Sequence, residues 1–220
     1  IENFPPIPTV MQKNIMEISE NYSRLTGEDT FLKIAKQNLN RFDKLNPQLL
    51  KLREKISAVL TNCDDTNNPP REYYDLYNEI NPIEDEWDQC CIVSVVFTAM
   101  YFEAFIYDYA ASYLGDDYSK SHLDKLDFIS KWLVIPKLIT GKELSKEGQA
   151  YQALKRLHKD RNSLVHLKSK KFKMNHSAIF DHLQKREKNI RDSVKNCRIV
   201  IEQVINELVR IDPKHLKVRL

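Results

Sequence analysis

The sequence predicts an all-α fold: a four-helix up-and-down bundle preceded by an N-terminal helical extension. Three observations lead there. Glycine is scarce, at four residues in 220, whereas tight hairpins and bulges draw on it. Leu, Ile, Lys and Glu recur at helical spacing. A heptad seam (Leu183, Ile190, Val194, Cys197, Ile201, Val204, Leu208, Ile211) runs near the C-terminus, interrupted only by Glu187. Its alternating steps of three and four make the narrow apolar stripe of a bundle helix. A chain of this length is large enough to bury a core without staples.

Taken in order, Phe4-Pro5-Pro6-Ile7-Pro8 reads as an extended arm, because proline fixes φ and lacks an N–H. Helical spacing starts near Thr9, breaks around Thr26-Gly27 and continues towards Leu60. Residues 62–71 form a polar loop with Asn67-Asn68-Pro69-Pro70. The chain therefore divides into residues 1–80, an arm and helical extension, and residues 81–212, the bundle, packed as one globular unit. The first bundle helix is expected from about Ile83, after Pro82, to Leu114 before Gly115. The second covers Ser119–Ile139, ended or kinked by Pro136. The third runs from Ser145 to His166, and the fourth from Asn175 or Ser177 to Ile211. The longest uncharged stretch, Gln89–Phe102, is too short to span a bilayer, so no membrane helix is expected. Cys63, Cys90, Cys91 and Cys197 form no C-x-x-C pair. They read as reduced thiols in a cytoplasmic protein.

Charge is unevenly placed although the net value is only +3. Nine acids and one base lie between Asp64 and Asp88. Fourteen Lys and Arg face four acids between Lys155 and Arg198. A basic half of that kind holds a polyanion or forms a solvated helical face. The four glycines are scattered, which excludes a Walker loop or a dinucleotide fingerprint. His158 and His166 lie eight apart, about 12 Å along a helix, too far to share one ion. No metal and no cofactor are expected.

The third helix carries the anomaly. Its apolar stripe, Leu154, Leu157 and Leu164, requires a residue at 161, and that residue is Arg161. Either its stem lies on apolar surface while its head reaches water, or the guanidinium serves a site at a cost in stability. Asn162 and His166 are four apart and share a face. Arg161 and His166 are five apart, roughly 140° around a regular helix. A site using both needs a helix end near Val165 or a second copy of the segment.

Arg161-Asn162-Ser163-Leu164-Val165-His166 resembles the signature of the HEPN superfamily, an Arg followed by a polar residue with a His about five positions on. The context is similar too: a long apolar helix containing Phe102-Glu103-Ala104-Phe105-Ile106, a shorter one with Lys131-Trp132 and Pro136, the motif helix, and a long closing helix. The resemblance covers roughly Pro82–Ile211. It implies a HEPN-type bundle and a homodimer with two motif helices at a two-fold axis. It also implies metal-independent RNA cleavage of the toxin or phage-defence kind. Arg161, His166 and Asn162 are then the catalytic candidates. His titrates near neutrality and can act as base or acid, and guanidinium matches phosphate oxygens. Lys168, Lys170, Lys171 and Lys173 are the RNA-binding candidates, with Glu103 or Asp108 as partner of Arg161. The alternative is a catalytically silent HEPN module that pairs with a nucleotidyltransferase-type antitoxin or another protein.

Overall fold

The computed structural model describes residues 15–19, 22–25, 27–63, 68–165 and 176–213, with side chains over 27–63, 68–165 and 184–213. Apart from one short strand pair, the described elements are helical. β1 (Ile15–Ser19) and β2 (Tyr22–Leu25) pair antiparallel, Ile15 opposite Leu25, with a register irregularity between Glu17 and Ser19. This corrects the helical reading that begins near Thr9. Short apolar runs fit a helix and a strand alike, and Ile and Tyr favour the pleated state once a partner strand is at hand.

α1 (Glu28–Thr61) opens with Glu28 and Asp29 in its first turn, where the helix dipole favours acids. Its buried face, Ala35, Leu39, Phe42, Leu45, Leu49 and Leu52, repeats in steps of three and four. α2 (Arg71–Leu114) has 44 residues, about 65 Å of helix. It passes through Pro82, so the expected start at Ile83 is corrected. Proline removes one ladder bond and crowds the preceding turn. Burial of Leu76 and Ile80 before it and Trp87 after it carries the helix across. By length and composition α2 could cross a membrane, but 56% of its apolar window is buried within the fold, as befits a core helix.

Gly115, at φ 84°, stops α2 in a conformation that disfavours side chains. A short turn, Asp116–Tyr118, leads into a π-helical turn, Ser119–Leu123. The expected helix Ser119–Ile139 therefore splits. Its second part, α3 (Phe128–Thr140), starts at Asp127, whose carboxylate accepts from the Ile129 and Ser130 N–H groups at 3.0 and 3.1 Å. That cap favours a fresh start over continuation. Pro136 lies inside α3, which ends on left-handed Gly141. α4 (Gln149–Val165) and α5 (His176–Ile211) follow.

Side-chain pairs fix the helix directions. Phe31–Phe97, Phe42–Trp87 and Arg53–Glu84 run in opposite order along α1 and α2, which are antiparallel. Asn196 donates to the Ala153 carbonyl at 3.0 Å while Arg156 faces Asp192, so α4 and α5 are antiparallel. Arg186–Asp88 and Tyr109–Asp212 run in the same order, so α5 lies parallel to α2. The four alternating helices are thus α1, α2, α4 and α5, and the short α3 packs on α2 between them in sequence. The helix expected as an extension is a bundle member.

The core is one cluster centred on α2, with Trp132 of α3 against Phe102 and Phe105. In α5, Val194, Cys197, Val204, Leu208 and Ile211 are buried as the seam predicts, and Ile190 and Ile201 are half-buried against the core. Leu183 lies outside the described side chains. Glu187, the interruption, bridges Arg53 and Arg191 at 2.6 and 2.7 Å and ties α5 to α1. All four cysteines are free. Burial pushes Cys91 and Cys197 up to about 12, so both thiols stay protonated at neutral pH.

Candidate functional site

Arg161 stands where the stripe of α4 placed it. Ala150, Ala153, Leu154 and Leu157 are buried, Leu164 packs on the core, and Arg161 between them is half-buried. Its partner is what distinguishes it. Arg41, Arg53, Arg71, Arg156, Arg186, Arg191, Arg198 and Arg210 each have a carboxylate within 4.0 Å. Among the arginines whose side chains are described, Arg161 alone has none. Its Nη1 donates instead to the neutral amide oxygen of Asn162 at 3.2 Å. A half-buried guanidinium without a carboxylate keeps most of its capacity to bind an anion.

Asn162 is held in turn. Its Nδ2 lies 3.0 Å from Nε2 of His158, one turn back on the same face. With Oδ1 accepting from Arg161, Nδ2 is the donor. The His158 ring stacks on Phe128 at the start of α3, with centroids 5.6 Å apart and planes within 6°. A chain of contacts, Phe128–His158–Asn162–Arg161, thus orients the guanidinium from another helix.

Arg161 and His158 line a cavity of about 250 Å³ together with Ala99 and Glu103 of α2, Asp124, Leu126 and Asp127 of the connection, and Phe128 and Lys131 of α3. Lys131 is only 4% exposed, and its Nζ lies 3.0 Å from Asp124 and 3.5 Å from Glu103. A buried ammonium requires such pairing. Hydrogen bonds from the Ser130 hydroxyl and backbone N–H, opposed by slight burial and helped by Ile129 and His158, hold the Asp127 carboxyl below its usual value.

Glu103, expected as a possible partner of Arg161, shares the cavity with it but pairs with Lys131. Asp108 is not among the cavity-lining residues, and its backbone carbonyl accepts from Ser112. His166, Lys168, Lys170, Lys171 and Lys173 lie outside the described residues. In the basic half, Arg156, Arg186, Arg191 and Arg198 are engaged in ion pairs within the fold, so that run serves internal cohesion as well as surface charge. From the sequence, His158 is considered only as a metal ligand and Lys131 only as part of the second helix's pattern, while Phe128, Asp124 and Asp127 have no role. His158-x-x-x-Asn162 has the spacing that would have signalled the pair, and Asp127-x-x-Ser130 carries the cap. Among the described residues no three His, Cys, Asp or Glu side chains cluster to hold a metal ion. The chain matches no protein-family model, no curated protein and no solved structure.

Proposed function

We propose that the chain is a HEPN-like endoribonuclease of the toxin or phage-defence kind, working in the cytoplasm as a homodimer and without a metal. The observation that carries this reading is Arg161, the half-buried arginine without a carboxylate among the described residues, on the core-facing stripe of the motif helix. Asn162 orients it. In the proposed reaction His166 takes the proton of an RNA 2′-OH, and the 2′-oxygen attacks phosphorus. The P–O5′ bond then breaks and the 5′-oxygen takes up the proton that His166 holds. Arg161 balances charge on the phosphoryl oxygens in the transition state. The products end in a 2′,3′-cyclic phosphate and a 5′-hydroxyl. Lys168, Lys170, Lys171 and Lys173 hold the flanking backbone. A two-fold pairing of motif helices brings Arg161 and His166 of both chains into one cleft.

The test is labelled RNA incubated in EDTA with the parent and with His166→Ala. Cleavage by the parent alone, with DNA of the same sequence left intact, supports the reading. EDTA-sensitive cleavage, or cleavage by His166→Ala at the parental rate, sinks it. Light scattering at micromolar concentration should give about twice 25.9 kDa. A stable monomer defeats the shared cleft.

A second reading, a silent HEPN module pairing with an antitoxin-type protein, is favoured by one feature. Tyr74 and Tyr77, at the start of α2, are about half exposed beside Tyr73, and tyrosine is enriched at protein interfaces. A parent protein that neither cuts nor binds RNA selects this reading.

A further inference from the structure

We propose that the cavity beside Arg161 is a base site selective for guanine. This rests on the ribonuclease reading and names the nucleotide it takes. At about 250 Å³ the cavity falls below the roughly 300–1,000 Å³ of sites that enclose drug-sized ligands, so it suits one base and not a whole dinucleotide. Its walls suit a flat ring. The stacked Phe128 and His158 rings offer an aromatic surface, and Ala99 and Leu126 are apolar.

The polar edge selects among bases. An ammonium carries three N–H donors. Lys131 directs two at Asp124 and Glu103, which leaves the third for an incoming acceptor. Beside it, Glu103 is a half-exposed carboxylate, and an ionised carboxylate only accepts. The wall therefore presents a donor next to a bidentate acceptor. Guanine carries the complement on its Watson–Crick edge: the O6 acceptor, then the N1–H and N2–H donors. Uracil and cytosine place the O2 lone pairs against the carboxylate, and adenine has an acceptor at N1 and no donor at C2. A carboxylate left facing a lone pair repels it, so those bases lose both a hydrogen bond and a favourable contact at Glu103. Arg161, lining the same cavity, is then placed for the phosphate attached to that guanosine.

The experiment is calorimetric titration of the whole chain with 3′-GMP, 3′-AMP, 3′-CMP and 3′-UMP, repeated on Glu103→Gln, with RNA cleavage products mapped in parallel. Binding of 3′-GMP at least tenfold tighter than of the other three supports the site. Glu103→Gln should reduce that preference to threefold or less while the fold is retained, because Lys131 keeps Asp124 at 3.0 Å; circular dichroism of the variant checks this. Equal affinities, no binding at millimolar concentration, or an unaltered preference in Glu103→Gln overturns the site. RNA cleavage without preference for guanosine, in binding or in cut position, overturns the base site and leaves the ribonuclease reading standing. Selective 3′-GMP binding without cleavage upholds the site and sinks the ribonuclease.

Discussion

Replacing Arg161 by leucine should leave the protein as stable or more stable while abolishing RNA cleavage. Fully burying a leucine contributes about 1.5–3 kcal/mol. Position 161 is half-buried between Leu157 and Leu164, so about 1 kcal/mol is gained there. The lost bond to Asn162 removes roughly 0.5–1.5 kcal/mol. Asn162 keeps His158 and can bind water, so the loss falls at the low end. The net change is about 0 to +0.5 kcal/mol, a rise of roughly 0–2 °C in melting temperature for a domain of this size. An arginine anchored to a buried carboxylate behaves oppositely, since breaking such a pair costs about 3–5 kcal/mol. The sign of the stability change therefore decides between a site residue and an anchor. Urea unfolding followed by circular dichroism, beside single-turnover RNA cleavage, reads both quantities. A variant destabilised by more than about 2 kcal/mol, or one that still cleaves, refutes the reasoning.

Three further outcomes are expected. Asp212→Ala removes the acceptor of the Tyr109 and Tyr113 hydroxyls, at 2.9 and 2.7 Å. With Tyr109 fully buried, a loss of about 1–3 kcal/mol is expected in urea unfolding, and an unchanged midpoint contradicts it. Glu187 titrates low despite burial, which raises it, because the hydrogen bond from Arg191 and the charges of Arg53 and Arg191 outweigh that effect. A depressed carboxyl stabilises the fold above its unfolded value and loses that contribution as pH falls through the folded value. Thermal melts should thus hold near neutrality and fall below about pH 4.5, with a shallower acid limb in Glu187→Gln; an identical limb rules this out. Lastly, replacing Lys168, Lys170, Lys171 and Lys173 by alanine should weaken RNA affinity and flatten its salt dependence with little effect on the rate at saturation. An undiminished salt slope in filter binding removes these lysines from the RNA face.

How much of this was legible beforehand is best judged on particular residues. The helical character of α1, α2, α4 and α5, the buried seam Val194, Cys197, Val204, Leu208 and Ile211, and the misfit of Arg161 on its stripe follow from the sequence alone. Each is a periodicity of 3.6, set by local backbone geometry, and needs no knowledge of what packs opposite. Tertiary structure decided the rest. Pro82 does not end α2, because apolar burial on both sides of it outweighs one missing ladder bond. α1 joins the bundle through Phe42–Trp87 and Arg53–Glu187, pairs 45 or more positions apart. The arginines of the basic half proved to be paired and Arg161 unpaired among the described residues, a difference invisible in composition because it depends on which carboxylate a distant helix presents. The cavity, too, exists only where α2, the connection after it, α3 and α4 meet. Sequence spacing states which face a side chain takes on its own helix. The crossing of segments far apart in the chain states what that face meets, and in this protein the candidate chemistry depends on the second.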